Sequence, residues 1–264
     1  MSRSLFVALA VSFAAAGGGA SAQSASDLAK KLSNPLAALV SVPFQLNYDD
    51  NIGPDDGGSR WTLNLQPVFP FSIGEDWNLI SRTILPVVSI DGIPPGAGSD
   101  LGFGDTVQSF FFSPKAPTAG GWIWGVGPVL LLPTSSGSSF GLGEWGGGVT
   151  GVALRQQGPW TYGALGNHIV NFTGDTDLNQ TFLQPFVSYT TPTAWSFTLN
   201  SESTYDWEAE DWSVPINALV SKMATVGSQP VSFGAGARYW ADSTPGGPEG
   251  WGARFVVTLL FPKG

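Results

Sequence analysis

The sequence predicts an all-β fold, a transmembrane antiparallel β-barrel of about twelve strands of the outer-membrane type, and three observations lead there. Residues 195–207, WSFTLNSESTYDW, set Trp195, Phe197, Leu199, Tyr205 and Trp207 in alternation with Ser196, Thr198, Asn200, Glu202, Thr204 and Asp206. Period two marks a strand whose faces meet different surroundings, because successive side chains point to opposite sides of the pleat. Similar runs repeat along the chain, and their connections alternate between short turns and longer loops, the pattern of a barrel with its short turns in the periplasm. Tryptophans gather at the run ends: Trp61, Trp145, Trp207, Trp212, Trp240 and Trp251 on the long-loop side, and Trp77, Trp122, Trp160 and Trp195 on the short-turn side. An indole keeps its ring in an apolar slab and its N–H in the wet interface, so two belts mark two membrane surfaces. Core anchors of a soluble sandwich would lie near strand middles, and only Trp124 does.

The elements follow in order. Arg3, the apolar run from Leu5 to Ala16 and Ala20-Ser21-Ala22 read as a signal peptide over residues 1–22, so the mature chain is expected to start at Gln23 in an exported compartment. Residues 23–36 are expected to be a periplasmic N-terminal segment. In it SASDLAKKLSN offers Ser26 as an N-cap and places Leu28 and Leu32 on one side, enough for one or two turns of helix or for a disordered lead. Residues 37–264 form the barrel, with strands expected at 38–49, 60–72, 77–90, 102–113, 122–134, 144–156, 160–173, 179–190, 195–207, 212–224, 230–240 and 250–262. Each is long enough to cross a bilayer at a tilt, for which about 9 to 11 residues are needed. In the last strand Phe255, Val257, Leu259 and Phe261 point outward and Arg254 inward. An aromatic near the C-terminus suits the outer-membrane insertion machinery, although Pro262, Lys263 and Gly264 follow it here.

The totals agree with a chain that meets lipid. Charged residues make up 12%, about half the usual share, and cysteine is absent, which removes both disulfides and thiolate metal sites. A net charge of −9 argues against nucleic acid, whose phosphates need a basic stripe. The acids cluster in DDNIGPDDGG, DGIPPGAGSD, GDTD and EAED, loop sequences that lack the ligand spacing of a calcium loop. Solvated carboxylates are the plain reading, with divalent bridging to lipopolysaccharide as the sharper one. No cofactor is expected.

Parity assigns the lumen. Ser41, Gln45, Asn47, Thr62, Asn64, Gln66, Asn78, Arg82, Asp105, Gln184, Ser188, Thr198, Asn200, Glu202, Asn217, Arg238 and Arg254 point inward, and Ile80, Ile84 and Val107 add a small apolar patch beside Arg82. A buried charge without a partner is costly, so Arg82, Arg238 and Arg254 are expected to pair with Asp105 and Glu202 or to line water, either as a brace or as the constriction of a narrow conduit. The sole histidine, His168, shares parity with Trp160, Tyr162 and Phe172 and so faces outward. Its neighbour Asn167 points the other way and no serine stands two residues from it, so the sequence supplies no triad for an outer-membrane lipid hydrolase. GAGSDLGFGD and GLGEWGGG do not link a strand to a helix, which excludes a dinucleotide loop.

Six strings, LVSVPFQLNYDDN, EDWNLISRTILPV, LGFGD, FFSPKAP, WGVGPVLLLPT and LQPFVSY, extend over almost the whole chain beyond the signal segment. Together they resemble the bacterial family of transporters named for the meta-pathway of phenol degradation, some of whose members bear the label neuromedin U. The resemblance implies an outer-membrane barrel of transporter type, passing small solutes with aromatic compounds among the candidates, and it supplies no catalytic residues. A structural or surface-interaction barrel without transport is the alternative, and an outer-membrane lipid hydrolase the remote one.

Overall fold

The computed structural model describes residues 19–174 and 177–262, and their side chains from residue 25 onward. The expected signal peptide lies outside the described residues except for its last four positions, 19–22. A helix, α1 (Gly19–Leu32), precedes β1 (Val40–Ile52), β2 (Gly58–Leu65), β3 (Val68–Ser72), β4 (Trp77–Asp91), β5 (Asp100–Phe103), β6 (Thr106–Pro114), β7 (Trp122–Leu132), β8 (Gly146–Gln157), β9 (Trp160–Asn171), β10 (Asn179–Thr190), β11 (Trp195–Ser201), β12 (Ser203–Asp206), β13 (Asp211–Val226), β14 (Gln229–Asp242) and β15 (Gly250–Phe261). The pairs β2–β3, β5–β6 and β11–β12 each continue as one strand, so the described residues make twelve crossings. All neighbours are antiparallel, and β15 pairs with β1 from Val40↔Phe261 to Tyr48↔Ala253, closing the ring. Closure removes the sheet edges that lipid cannot hydrate.

The three interruptions have one cause. Gln66 lies opposite Pro43, Gly104 opposite Pro86 and Glu202 opposite Pro215, and each donates its N–H to the proline carbonyl, at 2.9, 2.9 and 3.1 Å. Proline has no N–H to return, so the ladder loses one bond at each place. At Pro86 the register also slips by one, from Val87↔Phe103 to Ile84↔Val107, which makes a bulge at Gly104 and Asp105.

The faces sort as parity predicts. Phe197, Leu199, Phe255 and Val257 are exposed on the outer wall, whereas Asn217, Arg254 and Thr258 are buried inside. The aromatic belts form on both rims: Tyr48–Trp61, Tyr205–Trp207, Tyr205–Trp212 and Tyr239–Trp251 at the long-loop end, and Trp77–Trp124, Trp122–Tyr162 and Trp160–Tyr189 at the short-turn end. Trp240 corrects the expectation: it points inward, stacked on Arg238 with 4.7 Å from Cζ to the ring centroid. His168 stands on the outer wall, its Nδ1 2.9 Å from Thr181 Oγ1, which also accepts a bond from Trp207 Nε1 at 2.8 Å.

The N-terminal segment is the larger surprise. Neither one or two isolated turns nor a disordered lead, it is helical over residues 23–32, the larger part of α1, and is seated with the residues that follow in the short-turn mouth of the barrel. Ala29 and Leu39 pack on Ala194, Met223 and Leu260, and Leu36 enters the lumen to join Ile80, Phe111, Val152, Leu154 and Leu165. Polar ties fix it: Ser33 Oγ meets Thr161 Oγ1 at 2.8 Å and Gln156 Nε2 donates to Lys30 O at 2.9 Å. Ser26 is not a cap but a mid-helix residue whose hydroxyl donates to Thr191 O at 3.1 Å. Tertiary packing thus supplies what a short helix lacks alone.

Leu199, half exposed on the lipid side, tests the assignment of faces. Leu199→Arg is expected to cost about 2–4 kcal/mol if it lies near the bilayer midplane, measured by urea unfolding in lipid vesicles. Thr198→Arg, one residue away on the lumen side, should cost clearly less, and equal losses would contradict the facing.

Candidate functional site

Two cavities occupy the lumen and meet at a waist. The lower, of about 300 Å³, lies against α1 and the residues after it, and the upper, of about 620 Å³, opens toward the long loops. Gln45, Gln66, Arg82, Leu165, Gln184 and Glu202 line both and so form the waist. Two of these, Gln66 and Glu202, are residues opposed by a proline, so the kinked strands deliver the side chains that narrow the lumen.

Glu202 is the hub. Arg254 grips it with both terminal nitrogens, Nη1 to Oε1 at 2.8 Å and Nη2 to Oε2 at 2.6 Å, and its Nε donates to Asn47 Oδ1 at 2.7 Å. A parallel pair of charge-assisted bonds is the strongest way to hold a carboxylate. Arg238 Nη1 adds a 3.3 Å bond, as does Gln184 Nε2. The network continues to Asp49, which pairs with Arg238 Nε at 2.8 Å and Arg60 Nη2 at 3.3 Å and accepts from Trp240 Nε1 at 2.8 Å. The Arg238 Nε contact is an ion pair only, its N–H being turned away from the oxygen. Arg82 stands apart. Its one side-chain hydrogen bond is to Gln66 Oε1 at 2.8 Å, and among the described residues no carboxylate comes within 4.0 Å of it.

The expected constriction is therefore partly corrected. Glu202 joins Arg254 and Arg238 as expected, and Asn200 accepts a bond from Asn217 at 2.9 Å in the lower chamber. Asp105 does not join them. Displaced by the bulge at Pro86, its carboxylate accepts from the backbone N–H of Ser135 at 3.1 Å and of Gly143 at 3.0 Å, tethering the loop between β7 and β8. That loop puts Phe140 and Leu142 into the upper chamber, and Gly102 leaves room for the Phe140 ring, which a Cβ there would meet at 2.5 Å. Asn64 lines the same chamber.

Asp49 was missed because it adjoins the acidic run of the first loop, although its parity with Asn47 places it inside. Parity also understated the apolar share of the lumen. Leu131, Leu165, Ile169 and Phe182 line the upper chamber with Ile84 and Val107, opposite the charged wall. In β9 both faces carry apolar residues, so alternation could not separate them there.

No family model and no curated protein matches the chain. Among solved structures, the COG4313 outer membrane channel from Pseudomonas putida F1 is similar in fold, with a TM-score of 0.64 and 13% identity over 84% of this chain and 94% of that one. The outer membrane phospholipase of Salmonella typhi, solved as a dimer with bound calcium, aligns at a TM-score of 0.44 and 12% identity over 91% of this chain and 98% of that one. The chain is a twelve-stranded outer-membrane β-barrel, and its place is the bacterial outer membrane.

Glu202→Gln removes the acid that holds Arg254, of which 1% is exposed. The expected cost is roughly 3–5 kcal/mol, the penalty of a buried charge left without its partner. Glu202→Gln combined with Arg254→Met should recover part of it, and urea unfolding of both variants checks the order. A double variant no better than the single one would mean that lumen water already solvates the arginine.

Proposed function

We propose that the protein is an outer-membrane channel for small solutes, gated at its short-turn end by the N-terminal segment. The observation that carries this reading is the waist: two cavities in line along the barrel, joined through Gln66, Arg82, Gln184 and Glu202. A barrel meant only as a wall could fill its lumen with side chains, as small barrels do. The likeness to the Pseudomonas putida channel supports the reading through the fold, and the strings that resemble the meta-pathway transporters point to aromatic compounds as one class of solute. The long loops face outward toward lipopolysaccharide, the short turns and α1 face the periplasm, and the aromatic-ended β15 engages the insertion machinery. Residues 1–22 act as the export signal. No reaction is assigned in this reading: the hydroxyl beside His168, Thr181 Oγ1, accepts a bond from Trp207 Nε1 on the outer wall, and among the described residues no carboxylate or amide is bonded to the imidazole to complete a triad.

Ser33 and Thr161 give a direct test, because their hydroxyl oxygens are 2.8 Å apart and the chain has no native cysteine. Ser33→Cys with Thr161→Cys should form a disulfide that locks the segment in place. In planar bilayers the oxidised protein is expected to stay closed and the reduced protein to show brief openings. Equal conductance in both states would remove the gate, and silence in both would favour a structural or surface-interaction barrel.

A further inference from the structure

The upper chamber is a cup with one chemical contrast. One side of its wall is apolar, built by Ile84, Val107, Leu131, Ile169 and Phe182, the rest carries polar groups such as Asn64 and Gln180, and its floor is the waist. Arg82 and Glu202 stand on that floor, and behind it Glu202 belongs to a network in which Arg60, Arg238 and Arg254 share two carboxylates, Asp49 and Glu202. The two acids are saturated by three of the arginines. Arg82 is the remainder: it lines both cavities and spends a single donor, on Gln66. A guanidinium carries five N–H donors in a planar fork that fits a carboxylate with two parallel bonds.

From this juxtaposition we infer that the upper chamber binds a small monocarboxylate with an apolar body, the carboxylate on Arg82 and the body against the Ile84, Val107 and Phe182 wall. The inference rests on the channel reading for its setting and goes beyond it in naming the solute chemistry. A neutral molecule of the same shape would leave the Arg82 donors unanswered, and a small acid without the body would leave the apolar wall wet. Three acids besides Glu202 line the chamber, Asp105, Asp177 and Asp206; Asp177 lies exposed on the loop before β10, and the oxygens of the other two are already engaged. Asp105 accepts two backbone N–H groups, and Asp206 accepts Gln180 Nε2 at 3.0 Å and the N–H groups of Glu208 and Ala209 at 2.9 and 3.1 Å. The chamber volume of about 620 Å³ leaves room for a single-ring acid with some water.

Benzoate, benzyl alcohol and acetate separate the contributions. Isothermal titration of the full-length barrel in detergent should show benzoate binding at least about tenfold tighter than either of the others, the scale expected of a hydrogen-bonded charge pair. Arg82→Gln should abolish the preference for benzoate over benzyl alcohol while the barrel keeps its heat-modifiable gel mobility. Should that variant fail to fold, Arg82→Lys retains the charge without the fork and is expected to bind benzoate several-fold more weakly. Equal affinity for benzoate and benzyl alcohol, or benzoate binding untouched in the Arg82 variants, overturns the inference. Conductance in potassium chloride is read separately. Binding without conductance refutes the channel and leaves the acid site standing, and conductance without selective binding does the reverse.

Discussion

In the hydrocarbon of a bilayer no water is available to an unpaired N–H or C=O, so the bonds between β15 and β1 that close the ring of strands are the condition on which the rest of the molecule stands. Departures from that ladder are consequently informative. Three of them occur opposite prolines, at Gln66, Gly104 and Glu202, and Pro43, Pro86 and Pro215 all belong to the lumen-facing set. A proline in a closed sheet gives up a ladder bond, and inside the barrel the loss is met by a polar interior instead of lipid. The same positions then carry the waist and the loop tether, so the ladder defects coincide with the side chains that shape the lumen.

The lumen is divided lengthwise as well as across. One wall is a chain of charges from Arg60 through Asp49, Arg238 and Glu202 to Arg254, and the other is a layer of aliphatic and phenyl groups that ends on Leu36 of the N-terminal segment. Each wall stabilises the barrel in its own way. The charged wall ties β1, β2, β14, β15 and the junction of β11 with β12 across the closure, and the apolar wall packs β4, β6, β8 and β9 around Leu36. The N-terminal segment therefore completes the hydrophobic core of the lumen at the same time as it occupies the mouth.

How much of this was legible in the sequence depends on where alternation is unambiguous. Strands such as 195–207, with apolar and polar residues strictly interleaved, gave both their extent and their facing, and Phe197, Leu199, Asn200 and Glu202 fall where parity puts them. Parity fails in two physical situations. Where a bulge inserts a residue, as at Gly104, an inward side chain is re-aimed, and Asp105 turns to a loop instead of to Arg82. Where both faces of a strand are apolar, as in β9, composition hides which face lines the lumen. The network role of Asp49 and the seating of the N-terminal segment escaped for another reason: both depend on contacts far away in sequence, Asp49 with Arg238 and Trp240, and Leu36, just after α1, with Phe111 and Leu165. Trp240 shows the converse, a residue in the right place along the strand and on the wrong side of it.

Charge is also graded along the barrel axis. The long-loop rim carries Asp50, Asp55, Asp56, Asp91, Glu208, Glu210 and Asp211, the waist sets Arg82 against Glu202, and the short-turn end sets Lys115, Arg155 and Lys222 against Glu75 and Asp76. Fixed charge concentrated at one end of a narrow water path makes the path an electrical diode, because mobile ions accumulate in it under one polarity and are depleted under the other. An open form of this barrel would thus rectify, and the sense of the rectification would report which way round a single molecule sits in the bilayer.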